Sequence, residues 1–340
     1  MKKILSCLMA SAMVLMTAGC AGSAEKSSQS KNGADSTSAN SKKLSIGVVQ
    51  LAEHPALDYS YQGFVDGLKE NGYIDGENIT IDYNNAQGEQ ANCTTIAQKL
   101  VNNKSDLIFA IATPAAQATA SLTDSIPILA SAVTDFKTAK LVKENEKPET
   151  NVTGTSDLNP IEKQMDMLIK LVPNAKTVGM LYCSSESNSE FQVKLATDYL
   201  KTKGIEVVNA TVSASNEIQQ VVTSLNGKVD AIYAPTDNMI SASMVLISDV
   251  CKELKIPTVC GEPEQVKNGG LATDGIDYYA LGKQTAKMAV KILKGEAEPK
   301  NMPVEYLEDT VIYLNQVTAD KLGIALPADM VAAADKIIKE

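Results

Sequence analysis

Acidic, hydroxyl and amide side chains recur in this chain just after short apolar runs. The clusters are Glu53-His54-Pro55-Ala56-Leu57-Asp58, Thr113-Pro114-Ala115-Ala116-Gln117, Val133-Thr134-Asp135, Ser184-Ser185-Glu186-Ser187-Asn188, Thr236-Asp237-Asn238 and Gly261-Glu262-Pro263, followed by Asp274 and Asp277. This combination suits a small zwitterion. Helix N-termini carry free N–H groups and a partial positive charge, so 113–115 and 184–187 can hold a carboxylate. Asp237, Glu262 and Asp135 are the candidates for an ammonium group. A hydrogen bond to a charged group contributes roughly 1.5–3 kcal/mol, so a few together give tight capture. Tyr59, Tyr61, Phe136 and Tyr278 can wall an apolar or aromatic side chain, and the chain has no Trp. The candidate ligand contacts are Glu53, His54, Asp58, Thr113, Pro114, Ala115, Asp135, Ser184, Ser185, Glu186, Asn188, Asp237, Asn238, Glu262 and Asp277. Each also has a plainer role, because Ser, Thr, Asp and Asn after a strand are common helix N-caps.

Catalytic signatures are missing. No G-x-G-x-x-G follows the first apolar run, and neither a P-loop nor a G-x-S-x-G elbow occurs. His54 is the sole histidine, so ligation of a metal by several histidines is excluded. An enzyme in the same cleft would need a proton-transfer pair among Glu53, Asp135 and Glu262, and no nucleophile stands out. The expectation is a binding protein without cofactor or metal.

The elements that position these clusters alternate in period. Apolar strand-like runs fall at 44–51, 78–83, 107–112, 127–132 and 151–155, with helical runs at 55–71, 90–102 and from Thr113, which can cap its own helix. The second half repeats the order. Strands fall at 177–182, 206–211, 231–234, 257–260 and 270–275, with helices at 190–203, 217–225 and 239–254 and a last long helix. Asp106-Leu107-Ile108-Phe109-Ala110 is echoed by Asp230-Ala231-Ile232-Tyr233-Ala234, and Ile126-Pro127-Ile128 by Ile256-Pro257-Thr258. Such βα alternation builds doubly wound α/β lobes with parallel sheets. Two of them leave a cleft between their strand carboxyl ends, where open α/β sheets bind ligands. The expected division is 43–157 plus about 277–298 for one lobe and 158–276 plus about 299–340 for the other. The crossings near 157–160, 275–278 and 299–303 would form the hinge.

At 340 residues the chain exceeds one compact core, which supports two lobes. The net charge of -10 disfavours nucleic acid, whose binding rests on neutralising phosphates. Cys93, Cys183, Cys251 and Cys260 lack metal-ligand spacing and read as small core or surface residues. The first twenty residues read as an export signal: Lys2 and Lys3, a short apolar run, then Thr17-Ala18-Gly19-Cys20. That ending resembles a lipoprotein lipobox, which implies a diacylglycerol on Cys20. Residues 21–42 are polar and lack apolar periodicity, as a flexible tether would.

Several runs together resemble a known family. They are Gln50-Leu51-Ala52-Glu53-His54-Pro55-Ala56-Leu57-Asp58 with Gly63-Phe64, Asn84-Asn85-Ala86-Gln87-Gly88, Ala112-Thr113-Pro114-Ala115-Ala116-Gln117, Val133-Thr134-Asp135, Asn151-Val152-Thr153-Gly154, Pro235-Thr236-Asp237-Asn238 and Gly275-Ile276-Asp277-Tyr278-Tyr279. In this order, across 44–327, the chain resembles the TrpX-type ABC transporter substrate-binding proteins. The resemblance implies the type I periplasmic binding fold: two Rossmann-like lobes joined by a hinge. It implies a monomeric receptor of an ABC importer, lipid-anchored outside the cell membrane and serving permease and ATPase subunits. The implied cargo is tryptophan, tyrosine or phenylalanine. Where the family often has Asp-Pro, this chain has Asp135-Phe136, which would alter the cleft wall. A sensor signalling through a membrane partner is the alternative of a different class.

Overall fold

The computed structural model describes residues 43–340. The expected signal at 1–20, the tether at 21–42 and the acylated Cys20 lie outside the described residues.

The first lobe begins with β1 (Leu44–Gln50), α1 (Pro55–Glu70), β2 (Ile79–Asn85), α2 (Gln90–Asn102), β3 (Leu107–Ile111), α3 (Thr113–Ala120), β4 (Ile128–Val133) and β5 (Val152–Ser156). The chain then crosses into α4 (Ile161–Leu171), β6 (Thr177–Cys183), α5 (Ser187–Thr202), β7 (Glu206–Val212), α6 (Ile218–Ser224), β8 (Ala231–Ala234), α7 (Asn238–Ala242), α8 (Met244–Leu254), β9 (Thr258–Cys260), α9 (Pro263–Lys267) and β10 (Ala272–Gly275). It returns through α10 (Tyr278–Leu293) and β11 (Glu305–Tyr306), and ends with β12 (Val311–Asn315), α11 (Gln316–Leu322), α12 (Ala328–Ala333) and β13 (Lys336–Ile338).

Two sheets result, ordered β11-β5-β4-β3-β1-β2 and β13-β12-β10-β9-β8-β6-β7. Every pairing is parallel except β10 with β12. Parallel sheets need helices on both faces, which is why β3, β4 and β8 are buried along their whole length. The expected third crossing at about 299 falls later. Glu305 and Tyr306 pair with Thr155 and Ser156 of the first sheet, so the chain leaves that lobe only at 307–310. The short run 305–306 is too brief to show strand periodicity in sequence. The expected helix at 239–254 is broken at Ser243 into α7 and α8.

The first lobe is closed by α1 against α10, a contact between segments more than 200 residues apart in sequence. Small residues allow it: a Cβ on Gly63 would lie 2.1 Å from the Tyr279 carbonyl oxygen, and one on Gly282 2.0 Å from that of Ser60. Phe64 stacks on Phe109 with centroids 3.9 Å apart, tying α1 to β3. Cys93, Cys183, Cys251 and Cys260 are buried and unpaired.

Candidate functional site

The carboxyl ends of the two sheets face one another across a narrow inner cavity with room for little more than a water, about 10 Å³. The first lobe contributes His54, Leu57 and Ala132; the crossings contribute Asp157 and Tyr278; the second lobe contributes Asn188, Thr236, Asp237, Asn238, Ser241 and Glu262. An outer groove of about 980 Å³ shares His54 and Asn238 with it and adds Glu53, Asp58, Pro114, Ser185 and Glu186.

The local chain explains these positions. Pro55 opens α1 at its first turn, leaving His54 extended at the N-cap and turned into the cleft. Gly261 lets the chain after β9 lie against Pro235-Thr236, where a Cβ would come within 2.4 Å of the Thr236 nitrogen, and this brings Glu262 over the end of β8. Behind it, buried Gln164 of α4 donates to the carbonyls of Gly261 (3.1 Å) and Asp274 (2.8 Å) and accepts from Tyr233 (2.7 Å). Ala112 and Ala132, at the ends of β3 and β4, have φ of 85° and 56°. Left-handed backbone at a non-glycine residue is strained and clusters at functional sites.

Among the described residues, three carboxyls line the inner cavity, with Glu186 just outside it, and no lysine lines it. The chain contains no arginine at all. The carboxyls differ in how far they are already engaged. Asp237 caps α7 through Ile240 N–H (2.9 Å) and also accepts from Cys183 N–H (2.7 Å) and the Ser189 hydroxyl (2.7 Å). Glu186 accepts from the backbone N–H groups of Asn238 and Met239 (both 3.1 Å) and from the Asn188 and Asn238 amides. These two carboxyls hold the second lobe's loops together. Glu262 accepts only from Ser241 (2.5 Å), and its Oε2 is buried without a partner. Asp157 accepts from Thr134 (3.0 Å) and Tyr278 (2.8 Å), one bond per oxygen, which leaves capacity on each.

Burial controls the protonation of this site. Burial, with Glu264 and Asp157 nearby and Ser241 opposing, pushes Glu262 up to about 8. Burial and then the neighbouring Asp237 push Glu186 up to about 8. Asp157 and Asp237 are raised by burial against their hydrogen bonds. Burial pulls His54 down to about 4, partly opposed by its bond to Asn238, so the imidazole is neutral near pH 7. A cation entering this site therefore meets carboxyls whose charge the protein alone does not satisfy.

The structure separates the residues that sequence had grouped together. His54, Asn188, Asp237, Asn238 and Glu262 share the inner cavity, while Glu53, Asp58, Pro114, Ser185 and Glu186 line the outer groove. Thr113 is not the N-cap of α3: Ala112 takes that place, and the Thr113 hydroxyl is buried and unpaired beside Asn188. Ala115, buried on α3, lines neither cavity. Asp135 accepts from Thr138 N–H (2.6 Å) and Asn145 (2.8 Å). Burial works against its charge, but these bonds outweigh it and hold Asp135 below the usual carboxylate range. Ser184 is exposed and donates to the Val212 carbonyl. Asp277 caps α10 through Tyr279 and Ala280 N–H. Of the four aromatic wall residues only Tyr278 lines the cavity. Phe136 is buried in the core beneath β4, Tyr61 packs on Tyr83, and Tyr59 lies at the rim. Phe136 therefore does not alter the cleft wall. Asp157, Thr236 and Ser241 are the polar lining residues absent from the candidate ligand contacts; Asp157 had figured only as a crossing and Thr236 only within its cluster. Asp157 obeys the same rule as the others, following β5 directly.

The lobes stand closed on long bonds. His54 reaches Asn238 at 3.3 Å, Gln192 reaches Thr134 at 3.4 Å and Gln117 reaches Ser187 at 3.5 Å. At the rim, Lys267 of α9 sits 5.3 Å from the ring centroid of Tyr59 in the other lobe and 5.5 Å from that of Tyr313 in its own.

Two βα lobes, crossed by three strands of chain and closing over an acidic cavity, define a hinged ligand-binding protein of the type I periplasmic binding class. Residues 45–338 match the ABC transporter substrate binding protein family, and the chain belongs to that family. Over 324 residues it is 43% identical to a tyrosine-binding protein of Clostridioides difficile (strain R20291), covering 95% of this chain and 93% of that one. It superposes on a Streptococcus pneumoniae ABC domain in complex with L-Trp with a TM-score of 0.84 at 40% identity, covering 87% of this chain and 100% of that one. A ligand-free, open substrate-binding protein with adhesive properties from Clostridium difficile is 44% identical over the same coverage, yet superposes at only 0.68. The lobes here thus stand closer to the ligand-bound arrangement than to the open one. A glucose-galactose binding protein from Geobacillus stearothermophilus, at 17% identity and a TM-score of 0.60 over 80% of this chain and 97% of that one, shares the fold.

Proposed function

We propose that this substrate-binding protein captures a free aromatic amino acid, such as tyrosine, tryptophan or phenylalanine, and presents it to the permease of an ABC importer. The observation that carries the reading is the pair of underused buried carboxyls, Asp157 and Glu262, on a cavity that no lysine lines. An α-ammonium group supplies the missing positive charge and three donors. With no arginine in the chain and no lysine on the cavity lining among the described residues, the guest's carboxylate falls to neutral donors on the cavity wall. The tyrosine-binding and tryptophan-bound relatives support an aromatic side chain, for which Leu57, Ala132 and Tyr278 offer the apolar surface.

In this reading the guest bonds to both walls and to the crossings, adding the affinity between lobes that three long hydrogen bonds do not supply. Closure is then selected by ligand, because ligand has more contacts in the closed than in the open form. The leader and Cys20 support a lipid-anchored location on the outer face of the cell membrane, with the polar segment after it giving reach to the permease. Among the described residues no helix is long and apolar enough to cross a membrane.

Thermal unfolding and calorimetry across the amino acids test the cargo. An aromatic amino acid should raise the melting temperature in line with RT ln(1 + [L]/Kd). Absence of any shift and any heat across the whole set would remove the proposal.

A further inference from the structure

We infer that His54 makes the cavity select aromatic side chains ending in a hydrogen-bond donor, a phenol or an indole, over a bare phenyl ring. This rests on the proposed function and adds a rule about which guests it prefers.

The argument starts from Asn238. Its Nδ2 donates to Glu186 at 2.6 Å, which turns its Oδ1 toward His54 Nε2 at 3.3 Å. An amide oxygen only accepts, so Nε2 must carry the imidazole proton. In a neutral imidazole the other nitrogen is then a bare acceptor. His54 Nδ1 is buried and has no partner. His54 also lines the inner cavity, with Leu57 and Ala132 as its neighbours on the first-lobe wall. Two kinds of unmet acceptor therefore belong to residues that line one space: the carboxyls of Glu262 and Asp157, and this neutral nitrogen. A charged donor is worth more to a charged acceptor, so the ammonium group goes to the carboxyls. The nitrogen is left for a neutral donor on the side chain. A hydroxyl or an indole N–H satisfies it, whereas a phenyl ring leaves it unpaired in a closed cavity. A buried polar atom left without its partner lowers affinity by about tenfold or more.

The test is calorimetry of the full chain at pH 7 with L-tyrosine, L-tryptophan, L-phenylalanine and 1-methyl-L-tryptophan, which keeps the indole but lacks its N–H. Tyrosine and tryptophan should each bind at least about tenfold more tightly than the analogue lacking the donor. In His54→Leu, checked for folding by its melting curve, those ratios should collapse to within about threefold, because no acceptor remains to be left unpaired. Phenylalanine binding within about threefold of tyrosine in the unaltered chain overturns the inference by itself, whether or not the variant folds. So does a His54→Leu chain that keeps the original ratios. If none of the four ligands binds, the proposed function falls and takes this inference with it. Binding without discrimination removes only the role of His54.

Discussion

Replacing Glu262 by Gln should stabilise the empty protein while weakening its grip on ligand. Glu262 is 1% exposed, and its carboxyl is pushed from 4.5 to about 8, chiefly by burial. A carboxyl raised in the folded state favours folding most where both states are protonated. That advantage is complete below about 4.5 and is lost as pH rises toward 8. Between those limits the unfolded chain releases a proton that the folded chain retains. A shift of this size disfavours the charged form by roughly 4–5 kcal/mol, of which about 3 is developed by pH 7. Gln keeps the shape, and its oxygen can still accept from Ser241. The melting temperature of the empty Glu262→Gln chain should therefore exceed that of the parent at pH 8, and the gap should close toward pH 4.5. Ligand binding should move the other way, with affinity falling by about 10- to 150-fold, the equivalent of a charged hydrogen bond of roughly 1.5–3 kcal/mol. In the parent, capture of an ammonium group at pH 7 should release a proton from Glu262, seen in calorimetry as a dependence of the binding heat on buffer ionisation enthalpy. An empty Glu262→Gln chain no more stable than the parent at pH 8, together with undiminished affinity, would refute the assignment of Glu262 as an unsatisfied ammonium acceptor.

Asp157→Asn should likewise cost about 10- to 100-fold in affinity by calorimetry, since it removes the second charged acceptor while leaving an amide oxygen to accept from Thr134 or Tyr278. Tyr59→Leu removes the interlobe ring over Lys267, a contact worth about 0.5–1 kcal/mol at an exposed site. Stopped-flow release should be about two- to fivefold faster, whereas Tyr313→Leu, within one lobe, should leave the release rate unchanged. Gly282→Ala drives a methyl to 2.0 Å from the Ser60 carbonyl oxygen at the α1–α10 crossing. Denaturant unfolding should report a loss of roughly 1–3 kcal/mol or more, because backbone rather than a flexible side chain must move.

Much of the architecture was legible because its signals are local. Buried strands such as β3 and β8 read as continuous apolar runs, and α2 and β8 fall at the residues their periodicity predicts. The strand-then-polar-residue rule names His54, Asn188, Asp237, Asn238 and Glu262, which line one cavity. What sequence alone cannot order is how neighbouring polar residues divide the work. Asp237 and Glu262 occupy equivalent places after β8 and β9, yet one is saturated by three donors and the other keeps an oxygen unpaired. That difference depends on which donors the fold brings alongside: Asp237 gains the Cys183 N–H (2.7 Å) and the Ser189 hydroxyl (2.7 Å) from distant loops, whereas Glu262 meets only the Ser241 hydroxyl (2.5 Å). Thr113 does not cap α3, and Asp135 is engaged within its own loop, for the same reason: the direction of a side chain is set by local dihedrals and nearby partners. Asp157 became a site residue only when the crossings closed. The sequence by itself determined a pair of βα lobes with acidic rims. The tertiary structure decided which carboxyls stay unsatisfied, because that is settled by distances between atoms far apart along the chain.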